Sequence, residues 1–171
     1  MKIFFTSICF LALVSSVKAL DAGDIVKMEL AKQKLYAGQY IGALNLYKEV
    51  LQKNPDDAKV LHYVGYCQFQ LQKYNDAEES FKKAIATNKD VRPETHLLLG
   101  KIYLHDVKLD DALTEFNTYK TTAKSKESEY EEVDVYVAHC NNAKMQMAAP
   151  VDSKVENLGA AINSKDADQS P

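Results

Sequence analysis

Between residues 24 and 124 the apolar side chains recur at separations of three, four and seven, the spacing that keeps them on one face of an α-helix. These stripes predict helices over 24–37, 40–53, 58–71, 74–88, 93–106 and 109–122. The interruptions agree with local chemistry. Gly38 suits the left-handed position that ends a helix, Asn54-Pro55 stops the second stripe, and Pro93 suits the first turn of the fifth helix.

The helices come in pairs, and the pairs repeat. Ala43 and Ala77 are 34 residues apart, Ala77 and Ala112 are 35 apart, and their neighbours fall into register. Twelve residues before each alanine stands another small residue, Ala31, Gly65 and Gly100; four after each stands an aromatic, Tyr47, Phe81 and Phe116. Tyr40, Tyr74 and Leu109 precede the alanines by three, and Val50, Ala84 and Tyr119 follow them by seven. Closely packed antiparallel helices need a small side chain on each at the crossing, so Ala31 is expected beside Ala43, Gly65 beside Ala77 and Gly100 beside Ala112. The aromatics are then expected to fill the gap to the next copy. A single helical hairpin cannot bury its apolar face, so the copies must stack. The expected fold is an all-α solenoid of three helix-turn-helix repeats, 24–57, 58–92 and 93–124.

Beyond Lys120 a polar stretch leads into a closing helix over 127–148. Tyr130, Val133, Val137, Cys140 and Met147 share one face, while Glu131, Glu132, Asp134, Asn141 and Lys144 point elsewhere. Such a helix caps the last hairpin with a polar outer side. From 149 to 171 the apolar residues thin out and Ser, Asp and Lys dominate, the composition of a flexible tail.

The pattern over 24–124 resembles the tetratricopeptide repeat (TPR), a 34-residue helix-turn-helix unit with a small residue at its eighth position, Ala at the twentieth and an aromatic at the twenty-fourth. The chain departs from that pattern in places. The family's fourth-position Trp is Lys27, Leu61 and His96, its eleventh-position Tyr occurs only as Tyr103, and its late Pro occurs only as Pro55. The resemblance implies a TPR α-solenoid whose first helices line a concave groove. Carried over position by position, the groove walls are Met28, Lys32 and Leu35; His62, Tyr66 and Phe69; and Leu97, Lys101 and Leu104. Apolar rungs flanked by Lys32 and Lys101 suit an extended or helical peptide of some acidic character. The competing expectation is that the closing helix or a neighbouring protein covers part of the groove. The set with which chaperone-binding relatives grip a C-terminal carboxylate is missing, since those positions read Met28, Lys32, Tyr63, Glu94 and Leu98.

The ends change the picture of where this solenoid works. MKIFFTSICFLALVSSVKA combines Lys2, an apolar run from Ile3 to Val14 and small residues before a cut after Ala19, the pattern of a secretory signal peptide over 1–19. The run of 12 residues is short of the roughly 20 needed to span a bilayer, so no transmembrane segment is expected after cleavage. Cleavage leaves 19 basic against 24 acidic side chains, a net charge of −5. With Lys and Glu mixed along every segment there is no basic track for nucleic acid. No Asn-x-Ser/Thr acceptor occurs, which fits bacterial export.

The tail, from Ala149 to Pro171, resembles the junction in modular Gram-negative envelope proteins where TPR repeats lead into a WD40-like β-propeller, often followed by a domain like outer membrane protein A. That resemblance implies that Val155 to Ile162 leads to a first propeller strand, and that the chain is an N-terminal fragment. The functional expectation is a protein-protein interaction scaffold of the bacterial envelope, periplasmic or outer-membrane-associated, serving secretion or envelope assembly. The alternative is a free-standing periplasmic or secreted adaptor.

Catalytic and metal chemistry find little support. His62, His96, His105 and His139 are scattered, without HExxH or a Cys/His pair at ligand spacing, and are expected as partly exposed helix residues. Glu131 with Glu132, and Asp110 with Asp111, are adjacent on helices and so diverge. No phosphate-binding glycine loop and no Ser/His/Asp arrangement occurs, so no enzyme activity and no cofactor are expected. Cys67 and Cys140 are expected as two free buried thiols, because a packed layer of helices separates them.

Overall fold

The computed structural model describes residues 21–149, apart from 89 and 124–126; in the last helix the side chains are described from 132 onward. The signal-peptide and tail expectations, and those for Tyr130 and Glu131, lie outside the described residues.

Among the described residues seven helices follow one another in chain order: α1 (Ala22–Tyr36), α2 (Tyr40–Lys53), α3 (Ala58–Gln70), α4 (Tyr74–Thr87), α5 (Glu94–His105), α6 (Leu109–Thr122) and α7 (Glu127–Ala148). No strand occurs among the described residues. α1 starts two residues before its apolar stripe because the Asp21 carboxylate accepts the Asp24 N–H at 2.7 Å and so caps the helix. Asp57 caps α3 in the same way, accepting the Val60 N–H at 3.0 Å.

Each repeat turns from its first helix to its second through the same motif. The left-handed residue is Gly38 at φ 72°, Gln72 at φ 57° and Val107 at φ 60°. At each, the next N–H reaches back to the first helix: Gln39 to the Lys34 carbonyl at 2.8 Å, Lys73 to Gln68 at 2.9 Å, and Lys108 to Tyr103 at 2.8 Å. These are Schellman closures, and only the first uses the glycine that adopts this conformation without strain.

The hairpins α1–α2, α3–α4 and α5–α6 stack in order, with α2 against α3, α4 against α5, and α7 against α6 and α5. Two apolar clusters carry most of the core. One joins Ala31, Ala43, Leu44, Tyr47 and Val50 to Val60, Val64 and Cys67 of the second repeat. The other runs from Ala77 and Phe81 through Leu99, Ile102, Ala112 and Phe116 to Val133 and Cys140 of α7. The closing helix therefore caps the stack with Val133 and Cys140, while Glu132, Asp134, Asn141 and Lys144 are exposed. Met147 does not share the buried face; it lies on the last turn of α7 and is exposed.

The small residues work differently from the expectation. A side chain begun at Gly65 would meet the Phe81 ring at 2.6 Å, and one begun at Gly100 would meet the Phe116 ring at 2.7 Å. The glycines make room for the aromatic of their own repeat, which stands four residues after the alanine expected opposite them. Part of the bridging role remains, because Tyr47 stacks on Tyr63 of the next repeat and Phe116 stacks on Tyr136 of α7. Cys67 and Cys140 are free and buried, in separate clusters; burial raises the Cys67 thiol to about 11.

Because Phe81 is fully buried, its ring has no room to move away from a branched side chain at position 65. Gly65→Val is expected to lower unfolding free energy by about 3 kcal/mol. Urea denaturation of Gly65→Val, Phe81→Leu and the double variant checks the contact: the double variant should lose clearly less than the sum of the two singles.

Candidate functional site

The first helices α1, α3 and α5 hold the nine residues expected along the groove. Met28 and Leu35 are half-buried against the first core cluster; Tyr66, Phe69, Leu97 and Leu104 are half-buried against the second. Each repeat thus contributes two partly exposed apolar side chains from one helix, seven residues apart in the first and third repeats and three apart in the second. The helical period places them on one face, and packing beneath holds them without covering them. Phe69 meets Tyr74 edge-on, with ring centres 5.6 Å apart, and Tyr74 in turn lies 4.6 Å from the His105 ring. These rings run from the second repeat to the end of α5. Beside them, Gln72, Lys73, Tyr74, Asn75, Asp76, His105 and Asp106 line an open cleft of about 470 Å³.

His62 is buried rather than part of the wall, and His96 is buried too. The reason is the junction between repeats. His62 Nδ1 lies 2.8 Å from the Thr95 hydroxyl of α5, and its ring lies 6.0 Å from the Phe81 ring, so the imidazole is sealed between the second and third repeats. Burial, helped by the nearby Arg92 charge and opposed by Glu94, lowers its pKa to about 4. His96 instead pairs its Nδ1 with Glu115 of α6 at 2.6 Å. His105 and His139 are exposed, as expected.

The two lysines of the groove have different fates. Lys101 donates to Glu132 of α7 at 3.0 Å and sits 4.8 Å from the Tyr136 ring centre. Burial works against its charge, but Glu132 and Tyr136 outweigh it and hold its pKa above the ordinary lysine value. The closing helix therefore occupies part of the third repeat's wall. Lys32 lies 5.9 Å from the ring of Tyr36 on its own helix. Arg92, just before α5, stands 5.8 Å from the Tyr63 ring centre, donates to its hydroxyl at 3.2 Å and pairs with Glu94.

Glu132, Tyr136 and Arg92 were not singled out as site residues from the sequence. A signal for the first two exists: continuing the repeat by 34 residues from Leu99 lands on the buried Val133, which marks α7 as a further first helix with its own groove-facing side. Among the described residues no group of three His, Cys, Asp or Glu side chains is placed to hold a metal ion. No described helix is long and apolar enough to cross a membrane.

This geometry, a stack of helical hairpins with glycines seated on aromatics, defines a class: the chain is a TPR α-solenoid. Two tetratricopeptide repeat profiles match it, over residues 34–90 and 68–127. The BBSome complex member BBS4 of Mus musculus is 29% identical over 85 residues, 50% of this chain but 16% of that protein, and the Bos taurus counterpart is 27% identical over the same length. The chain thus spans about a sixth of the curated relatives it matches. Among solved structures, the first TPR domain of Spaghetti (RPAP3) bound to an HSP90 peptide superposes with a TM-score of 0.64 at 17% identity, covering 74% of this chain and 97% of that one. The Yersinia enterocolitica type III secretion chaperone SycD with a peptide of the translocator YopD gives 0.65 at 15% identity, covering 73% and 97%. At these identities the structural likeness is one of fold.

Because His62 is held neutral, the unfolded chain binds a proton there at a higher pH than the folded one does. Its contribution to stability is fully present above the unfolded value of 6.5 and falls as pH drops towards the folded value of about 4. The loss should total roughly 3 kcal/mol, at 1.36 kcal/mol per unit. Urea titrations at stepped pH should show this slope beginning above the carboxylate range, and His62→Gln should flatten it between pH 6.5 and 5.

Proposed function

We propose that the protein is a non-catalytic scaffold of the bacterial cell envelope that holds a peptide-like segment of a partner protein along its concave groove. The observation that carries this reading is the row of paired, half-buried apolar side chains: Met28 and Leu35, Tyr66 and Phe69, Leu97 and Leu104. They are fixed from below by the core and remain open above, which is how a groove offers apolar pockets without a large ordering cost on binding. TPR proteins are generally adaptors, and the similar structures named above include two with peptides bound. Because Lys101 is already paired with Glu132, the third repeat's wall offers the partner its apolar side chains rather than an open cation.

The envelope setting rests on residues 1–19, which carry the signal-peptide pattern, and on the tail's resemblance to the entry of a β-propeller. In that reading the solenoid is the partner-binding arm of a modular protein in the periplasm or at the outer membrane, working in secretion or assembly.

A selection for binders from a displayed peptide library tests the groove. Peptides recovered on the native chain should lose affinity about tenfold or more with Phe69→Ala or Tyr66→Ala, each aromatic being worth at least ~1.4 kcal/mol in such a pocket. Lys48→Ala, on the outer helix α2, should leave affinity unchanged; equal loss from all three would refute the assignment. For the compartment, expression in a bacterial host should yield a chain shortened by residues 1–19 in the periplasmic or outer-membrane fraction. An intact N-terminus in the cytosol would overturn the export reading.

A further inference from the structure

The α1 end of the stack is unlike its interior. Moving along the repeat by 34 residues carries Val26 and Leu30 onto Val60 and Val64 of α3, and a further 35 carries them onto Thr95 and Leu99 of α5. Those four positions are 0, 3, 0 and 1% exposed. They are covered because the second helix of the preceding repeat packs on α3 and α5. α1 has no described helix before it, and Val26 and Leu30 are 68% and 43% exposed.

The first repeat also places apolar side chains where the other repeats are polar. Ile25 stands where they have Lys59 and Glu94, Tyr36 where they have Gln70 and His105, and Ile41 where they have Asn75 and Asp110. All three are more than half exposed, at 57, 77 and 65%. An open end would explain Val26 and Leu30 alone. The additional three indicate a surface meant to be covered.

The pattern of charges says by what. On the helical wheel Ile25, Glu29, Lys32 and Tyr36 form one flank of the exposed face. Ile25 with Tyr36, and Glu29 with Lys32, are both centred on the same point between residues 30 and 31. When two copies of α1 lie antiparallel about that point, a twofold axis brings each flank against its own copy. Ile25 then meets Tyr36 of the second molecule, and Glu29 meets Lys32, twice over. Within the chain neither charge has an ion-pair partner among the described residues; Lys32 only lies over the Tyr36 ring.

We propose that the protein pairs with a second copy of itself through α1, the two helices antiparallel, with Leu30 beside the twofold point, two Glu29–Lys32 ion pairs next to it, and Val26 and Ile25 farther out towards each end of the contact. α1 of each molecule then covers on the other the face that α2 covers on α3 and α4 covers on α5.

Light scattering and sedimentation equilibrium on the chain that remains after residues 1–19 are removed, at concentrations on the order of 100 µM, well above a micromolar Kd, should give twice the mass of one such chain. Leu30→Glu should give the single-chain mass with far-UV circular dichroism unchanged, since Leu30 is exposed in the isolated chain. Glu29→Lys alone and Lys32→Glu alone should each weaken pairing roughly tenfold, because each sets like charges against each other at two places. Mixed together, the two single variants should form a mixed pair, which a merely structural effect of either change would not produce. A native chain that runs at single-chain mass overturns the proposal. So does a pair that survives Leu30→Glu, variants that fail to associate when mixed, or a mass that keeps growing beyond two copies, the sign of head-to-tail assembly through the exposed Val135, Met145 and Met147 of α7. Phe69→Ala should leave pairing intact, so failure of the groove reading and failure of this one are told apart.

Discussion

A ring seated on a glycine governs this structure. The Phe81 ring lies 2.6 Å from the place where a side chain on Gly65 would begin, and the Phe116 ring lies 2.7 Å from the same place on Gly100. That contact sets how closely the two helices of a repeat approach. It also turns the first helix so that one side meets the second helix while another faces the groove. Tyr66 and Phe69 are presented, half-buried, because Gly65 and Cys67 on the same helix are drawn into the core. The half-exposed apolar row along the first helices is thus a by-product of how each hairpin closes.

The junctions between repeats obey no such uniform rule. The first repeat meets the second through the parallel stack of Tyr47 on Tyr63, with ring centres 5.2 Å apart. The second meets the third through His62 and Thr95, a buried polar contact. The third meets α7 through Phe116 on Tyr136, with Lys101 and Glu132 beside it. An apolar junction tolerates changes of pH, whereas a buried imidazole does not, so the middle of the stack is its acid-sensitive point. The turn after α5 adds local strain, since the β-branched Val107 occupies a left-handed conformation that Gly38 fills freely.

Much of the fold was legible because helical repeats advertise themselves twice, by the 3.6-residue stripe and by the 34- to 35-residue return of the same residue types. The positions of all six repeat helices and of the closing helix follow from those periods. That Met28, Leu35, Tyr66, Phe69, Leu97 and Leu104 would lie on the first helices was legible, and the structure shows them half-buried there. His62 escaped because its burial depends on Thr95, 33 residues away, whose hydroxyl satisfies the ring nitrogen. Lys101 escaped because its partner Glu132 lies across the closing helix, and from sequence Glu132 reads as one of a solvated acidic pair.

Periodicity by itself determined which residues form helices, how those helices pair, and which face of each turns inward, because these depend on spacing along one chain. Only the tertiary structure decided what Gly65 and Gly100 make room for, which histidines are sealed away, which lysine the closing helix takes up, and which repeated position is left uncovered at the α1 end. Each of those depends on what arrives from another helix, and a polar group's fate is set by whether that arrival brings a hydrogen-bond partner, an opposite charge or nothing at all.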